Sequence, residues 1–187
     1  MTHNAYSLLD DVHVVLLRPR WARNLGSVAR AMKNFGLHKL TIVDSQIGSW
    51  NDAYQMAVQA NEILEDSTTT DLTAALAESQ WVVGTTNEPP PGTRVMTPRE
   101  VAEMAQERGA PTLLFGGEIN GLDPAELLRC QVVSVVPTAS EQSSLNLSQA
   151  VGIYGAELYA ACELRAKAAF PPSKQELAGA PLASTEM

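Results

Sequence analysis

The stretch QVVSVVPTASEQSSLNLSQAVGIYGAEL, Gln131 to Leu158, decides how this chain is read. Val132, Val133, Val135 and Val136 are β-branched and run into Pro137, which has no N–H to donate, so they predict a short buried strand that stops there. From Leu145 the pattern turns helical. Leu147, Val151, Tyr154 and Leu158 recur every three or four residues, and Ala150, Gly152, Gly155 and Ala156 keep the surface narrow enough for close packing. Ser143-Ser144-Leu145-Asn146 therefore falls between a strand end and a helix start. In an open α/β sheet this is where ligands bind, because unpaired N–H groups at the helix start meet loops from neighbouring strands.

Outward from that stretch the same alternation covers the chain. Val12 to Leu17 is a strand-length apolar run, followed by the loop RPRWARN (18–24) and a helix that Asn24 is expected to cap. Val28, Met32 and Phe35 form the buried stripe of that helix, and Gly36 ends it. Leu40 to Val43 predicts a second strand, Ala53 to Leu64 one helix, Leu72 to Glu78 another, and Trp81 to Val83 a third strand. Glu88 to Gly92, with three prolines, cannot be regular structure. Pro98 to Arg108 is helical with Pro98 in the first turn and Gly109 past the end. Thr112 to Phe115 is a fourth strand, and a short helix starts at Pro124. Strands alternating with helices call for an α/β fold, a mostly parallel sheet with helices on both faces.

Composition narrows the function. A chain of 187 residues with 45% apolar content buries one core, and one domain over residues 1–165 with a tail over 166–187 is the expected organisation. No apolar run approaches the roughly 20 residues needed to span a bilayer, and Met1 to Tyr6 lacks a secretory signal, so a cytoplasmic chain without membrane partners is expected. Cys130 and Cys162 stand apart, and His3, His13 and His38 are scattered, so no metal site is expected. The net charge of −8 argues against a nucleic-acid binder, but its distribution reverses that reading. Between Val12 and Val43 there is no Asp or Glu, yet Arg18, Arg20, Arg23, Arg30, Lys33 and Lys39 all lie there. A local positive field on an acidic body can hold a phosphate backbone in one place; the alternative is a solvated basic face.

Three strand-end loops compete for the chemistry: Gly84 to Asn87, Gly116 to Gly121, and Pro137 to Asn146. None carries the G-x-G-x-x-G fingerprint or a Walker lysine, which removes the best support for dinucleotide or triphosphate binding. Glu118, between glycines, either caps a nearby helix or holds a ligand or a neighbouring loop.

At these loops the chain resembles the SpoU/TrmH-type RNA 2′-O-ribose methyltransferases of the SPOUT class. The resemblance is carried by NLGSVARAMKNFG (24–36), FGGEINGL (115–122) and SSLNLSQAV (143–151), in that order, and by VVGTT (82–86). It covers residues 12 to 160. Within the family the likeness is greatest to the bacterial tRNA (cytidine/uridine-2′-O-)-methyltransferases. The resemblance implies a carboxy-terminal trefoil knot, S-adenosylmethionine as cofactor, a homodimer with its site at the interface, and RNA as partner, tRNA first and rRNA second. It assigns the cofactor to Thr85, Thr86, Asn87, Gly116, Val136, Ser143, Ser144 and Leu145, with adenine among Gly116, Val136 and Leu145. It assigns catalysis to Asn24, Arg30, Glu118, Ser144 and Asn146. Arg18, Arg20, Arg23 and Lys33 are the RNA-binding candidates.

Arginine is an awkward general base, because its pKa exceeds 12. Arg30 is therefore expected to orient the 2′-hydroxyl or an adjacent phosphate. The chain departs from its nearest relatives at Gly117, where they often carry arginine, and at Asn87-Glu88, so part of their basic surface is missing. PPSKQELAGAPLASTEM resembles the start of a family extension that normally continues. Two other readings stay open: a non-catalytic RNA-binding relative, and an ordinary nucleotide-binding α/β enzyme. The second should show a glycine-rich phosphate loop after the first strand, where Arg18 to Asn24 has no glycine.

Overall fold

A computed structural model describes residues 6–169. The tail expected over 166–187 lies, beyond Ala169, outside the described residues. In chain order the elements are α1 (Ser7–Asp11), β1 (His13–Leu17), α2 (Ala22–Asn34), β2 (Lys39–Val43), α3 (Asn51–Ala57), α4 (Asn61–Glu65), β3 (Thr68–Thr70) and α5 (Leu72–Leu76). They continue with β4 (Val82–Thr85), β5 (Val95–Met96), α6 (Pro98–Arg108), β6 (Thr112–Phe115), α7 (Pro124–Leu127), β7 (Val132–Ser134) and α8 (Leu147–Ala169). The strands form one sheet in the order β3-β2-β1-β6-β4-β7-β5, and every pairing in it is parallel.

Both faces of this sheet are covered, and the side-chain alternation of a strand sorts its residues between two cores. Val14 and Leu16 of β1 enter the larger core, with Leu113 and Phe115 of β6. Val15 and Leu17 enter the smaller one, with Leu114. All four β1 side chains are at most 1% exposed, and each contributes about 1.5–3 kcal/mol through burial. This accounts for the continuous apolar run in place of a polar alternation.

Helix α8 carries the spacing expected of it: Leu147, Val151, Tyr154 and Leu158 are all buried. The Tyr154 hydroxyl donates to Ser134 Oγ at 2.7 Å. Ser134 in turn donates to the Met96 carbonyl at 2.8 Å, which ties the helix to β7 and β5. Gly155 is needed for this packing, because a Cβ there would lie 2.8 Å from the Phe35 ring; Gly152 is not, its nearest neighbour being at 3.9 Å. Helix α8 runs without a break through position 165.

Several boundaries differ from the sequence reading. The helix expected over Ala53 to Leu64 is broken at Val58, which adopts φ +56°. The break lets Ala53 and Ala57 on one side, and Ile63 and Leu64 on the other, reach the same core. Strands β3 and β5, of three and two residues, and helix α1 were not expected; each is too short to show a period. The strand expected over Val132 to Val136 ends at Ser134, although the Val135 N–H still pairs with the Met96 carbonyl at 3.0 Å.

Candidate active site

Because all strands are parallel, their carboxyl ends share one edge of the sheet. The neighbours β1, β6, β4 and β7 therefore deliver four loops side by side. The loops after β6, β4 and β7 wall a cavity of about 790 Å³, within the range of small-molecule sites. Its lining includes Thr85, Thr86, Asn87, Gly116, Val136, Ser143, Ser144 and Leu145, all eight residues that the resemblance assigned to the cofactor. Phe115, Leu127 and Tyr154 supply an apolar side; Glu88 and Glu118 supply carboxylates. Burial pushes the Tyr154 phenol up to about 12, so it stays a neutral hydrogen-bonding group. Cys130, under Gly84 of β4, is pushed up to about 11 by burial, and a protonated thiol is no nucleophile at neutral pH.

The loop after β6 is folded tightly on itself. The Gly121 N–H donates to the Gly117 carbonyl at 2.9 Å, with Gly121 at φ +61°. A Cβ on Gly116 would lie 2.0 Å from the Gly121 carbonyl carbon. This turn presents Glu118 to the start of α2. Its carboxylate accepts from the Arg20 N–H at 2.9 Å, the Trp21 N–H at 3.3 Å and the Asn24 side-chain amide at 3.1 Å. Asn24 is consequently not the cap of α2. The helix begins at Ala22 with Trp21 at the N-cap and no side-chain cap of its own. The carboxylate from the neighbouring loop takes that role, at the end where the helix dipole favours negative charge.

The network continues into the third loop. The Asn146 amide donates to Asn24 Oδ1 at 2.9 Å, and Asn146 Oδ1 accepts from the Ser148 N–H at 2.9 Å and from its hydroxyl at 2.7 Å. Glu118, Asn24 and Asn146 thus join two loops and the start of α2 in one line of hydrogen bonds. Beside them lies a second cavity of about 230 Å³, and Glu118, Ser144, Leu145 and Leu147 line both cavities. Ser144 stands at the junction.

Arg30 is not part of this cluster. It is exposed on α2, six residues beyond Asn24, which places it roughly 9 Å along the helix and about 120° around it. Among the described residues it lines neither cavity. The four RNA-binding candidates also divide. Arg18 makes a bidentate ion pair with Glu126 and a bond to the Gly121 carbonyl at 3.2 Å, and this contact holds its guanidinium more firmly protonated than usual. Lys33 is paired with Glu62 and the Gln59 carbonyl. Arg20 and Arg23 are exposed. Trp21 and Gln142 of the smaller cavity escaped the sequence reading. The tryptophan was visible in RPRWARN, but one aromatic in a loop has no period to mark it.

Fold and site define an open-sheet α/β protein with its ligand cleft at the carboxyl edge, over the strands where the chain order crosses. The model of the SpoU rRNA methylase family matches residues 11–156, and the chain belongs to that family. It is 33% identical over 156 residues to the tRNA (cytidine-2′-O-)-methyltransferase TrmJ of Methanocaldococcus jannaschii, covering 79% of this chain and 67% of that protein. It is 36% identical over 159 residues to the tRNA (cytidine/uridine-2′-O-)-methyltransferase TrmJ of Pectobacterium atrosepticum, covering 81% and 65%. A probable methylase family protein of Haemophilus influenzae Rd KW20 superposes with a TM-score of 0.81 at 29% identity, covering 91% of this chain and 75% of that one. The chain spans about two thirds of the length of these curated relatives. Among the described residues no helix is long and apolar enough to cross a membrane.

Proposed function

We propose that this chain transfers a methyl group from S-adenosylmethionine to a ribose 2′-hydroxyl of tRNA, as a cytoplasmic homodimer. The observation that carries this reading is the shared wall of the two cavities. The larger one suits the cofactor: Thr85, Thr86, Ser143 and Ser144 offer hydroxyls, Asn87 an amide, Phe115 and Val136 apolar contact, and Glu88 and Glu118 carboxylates for a cationic ligand. When bound there, S-adenosylmethionine supplies an electrophilic methyl group. The smaller cavity, lined by Asn24, Asn146 and Ser144, takes the ribose. The activities for which the two TrmJ relatives are named support the same acceptor.

Within this reading the residues divide the labour by what they already bind. Both oxygens of Glu118 are engaged by three donors, so Glu118 positions the start of α2 and leaves proton removal to another group. Ser144 and Asn146 orient the acceptor across the junction. Arg30, remote from its own cluster, serves the site of the second subunit, where its planar fork aligns the 2′-hydroxyl or the adjacent phosphate. In-line displacement needs positioning above all, and the hydrogen-bonded line of Glu118, Asn24 and Asn146 provides a fixed frame for it. The trefoil knot belongs to the same reading: residues 115–122 and 143–145 wall one cavity, while α8 packs against both α2 and α6.

Calorimetry with S-adenosylmethionine and S-adenosylhomocysteine tests the cofactor. Both are expected to bind the folded protein, and absence of binding at millimolar concentration leaves only the non-catalytic RNA-binding reading. Mapping of 2′-O-methyl groups in RNA from cells with and without the gene tests the acceptor.

A further inference from the structure

Trp21 holds its backbone and leaves its ring free. Its N–H and that of Arg20 are fixed by Glu118, yet the residue is 50% exposed. The two other tryptophans are engaged: Trp81 is 2% exposed and donates its indole N–H to the Gly109 carbonyl at 3.0 Å, and Trp50 packs against Tyr54 at a centroid distance of 6.5 Å. Trp21 instead lines the smaller cavity together with Ser144 and Asn146. At about 230 Å³ this space falls below the range of drug-sized ligands and admits one fragment of a nucleotide.

The charge near the ring is mixed, but the cations are the unpaired part of it. Arg20 and Arg23, one residue before and two residues after Trp21, are exposed, and among the described residues neither guanidinium has a hydrogen-bond or ion-pair partner. The one carboxylate in the cavity, Glu118, is held by its three donors. A half-exposed aromatic with unpaired arginines beside it in the chain is the combination that binds single-stranded nucleic acid: phosphates to the cations, a base on the ring.

We propose that Trp21 is the stacking platform for a base of the RNA, at the target nucleotide or its immediate neighbour. The inference rests on the reading of RNA as the acceptor. It makes Trp21 the residue that turns phosphate attraction into dependence on a base, while Arg20 and Arg23 attract any polyanion.

The test uses two short single-stranded probes of equal length and charge: a mixed-sequence oligoribonucleotide, and the corresponding abasic ribose-phosphate chain. The natural protein is expected to bind the base-bearing probe about tenfold more tightly, since one stacked base is worth roughly that factor, and its tryptophan emission is expected to be quenched by that probe alone. Trp21→Ala should abolish the difference and the quenching while leaving affinity for the abasic chain unchanged. Trp21→Phe, which keeps a ring, should retain most of the difference. Equal loss on both probes, an unchanged preference, or no binding of either probe by the natural protein would overturn the proposal. So would a change in sedimentation of Trp21→Ala, which would mark the ring as a subunit contact. Methyl transfer is read separately, as S-adenosylhomocysteine formed: its absence with the stacking preference intact defeats the proposed reaction and not the platform.

Discussion

Two sets of cations come from one basic stretch and end in opposite states. Arg18, Lys33 and Lys39 are tied to Glu126, Glu62 and Asp11. Arg20, Arg23 and Arg30 are exposed and, among the described residues, have no such partner. The paired ones lie at the end of β1, in the last turn of α2 and at the start of β2, whereas the free ones sit on the loop before α2 and on α2 itself. A run of basic residues is thus no measure of a binding surface, because what counts is the charge left after the protein has used its own carboxylates. Three arginines remain, all close to the carboxyl edge or on the helix that starts there.

The largest effect expected from this contrast is at Arg30. Arg30→Ala should lower single-turnover methyl transfer by two or more orders of magnitude, equivalent to about 2.7 kcal/mol of transition-state stabilisation, with no change in cofactor affinity. Arg30→Lys sharpens the point: near-normal turnover would reduce the arginine to a point charge. Mixed dimers of Arg30→Ala with a Ser144→Ala subunit should recover part of the activity, and no recovery would place Arg30 in the site of its own chain.

Arg18→Ala should act on folding instead. Its ion pair is bidentate, and the Glu126 side chain is only 12% exposed, so losing it should lower the unfolding free energy by about 1–2 kcal/mol, measured in urea. The salt dependence of RNA binding should stay the same; a shallower slope would return Arg18 to the RNA-binding set. Arg20→Ala and Arg23→Ala should do the reverse. Each should flatten the plot of log affinity against log salt by roughly 0.7–0.9, the share of one phosphate contact, at unchanged stability. Lys33→Ala should give the smallest effect of all, neither a measurable shift of the urea midpoint nor a change of slope, because both partners of that pair are well exposed. A changed slope there would extend the RNA surface along α2.

Much of this was legible in the sequence because it is local. Val12 to Leu17, Thr112 to Phe115 and the stripe from Leu147 to Leu158 were placed to within a residue or two, since burial on a sheet or helix imposes a period that neighbours share. The three loops followed, as the ends of those strands. What stayed hidden depends on residues far apart in the chain. Asn24 carries a good capping side chain, but Glu118, 94 positions away, occupies the helix start, and Asn24 turns to bind it. Likewise Arg18 looks like its neighbours until Glu126, 108 positions on, is brought against it. Short strands such as Val95–Met96 exist because β7 lies beside them and have no signature of their own.

Glu118 has a thermodynamic consequence. One carboxylate belongs to the loop that walls the larger cavity and at the same time anchors the helix start that carries Arg20 and Trp21. Whatever a ligand in the larger cavity does to the order of that loop is therefore transmitted to the outer arginines, and the coupling runs both ways by the same factor. A cofactor that tightens RNA binding fivefold must itself be bound fivefold more tightly once RNA is in place. The two ligands then reinforce each other, and the share of half-loaded protein falls at every concentration of the two.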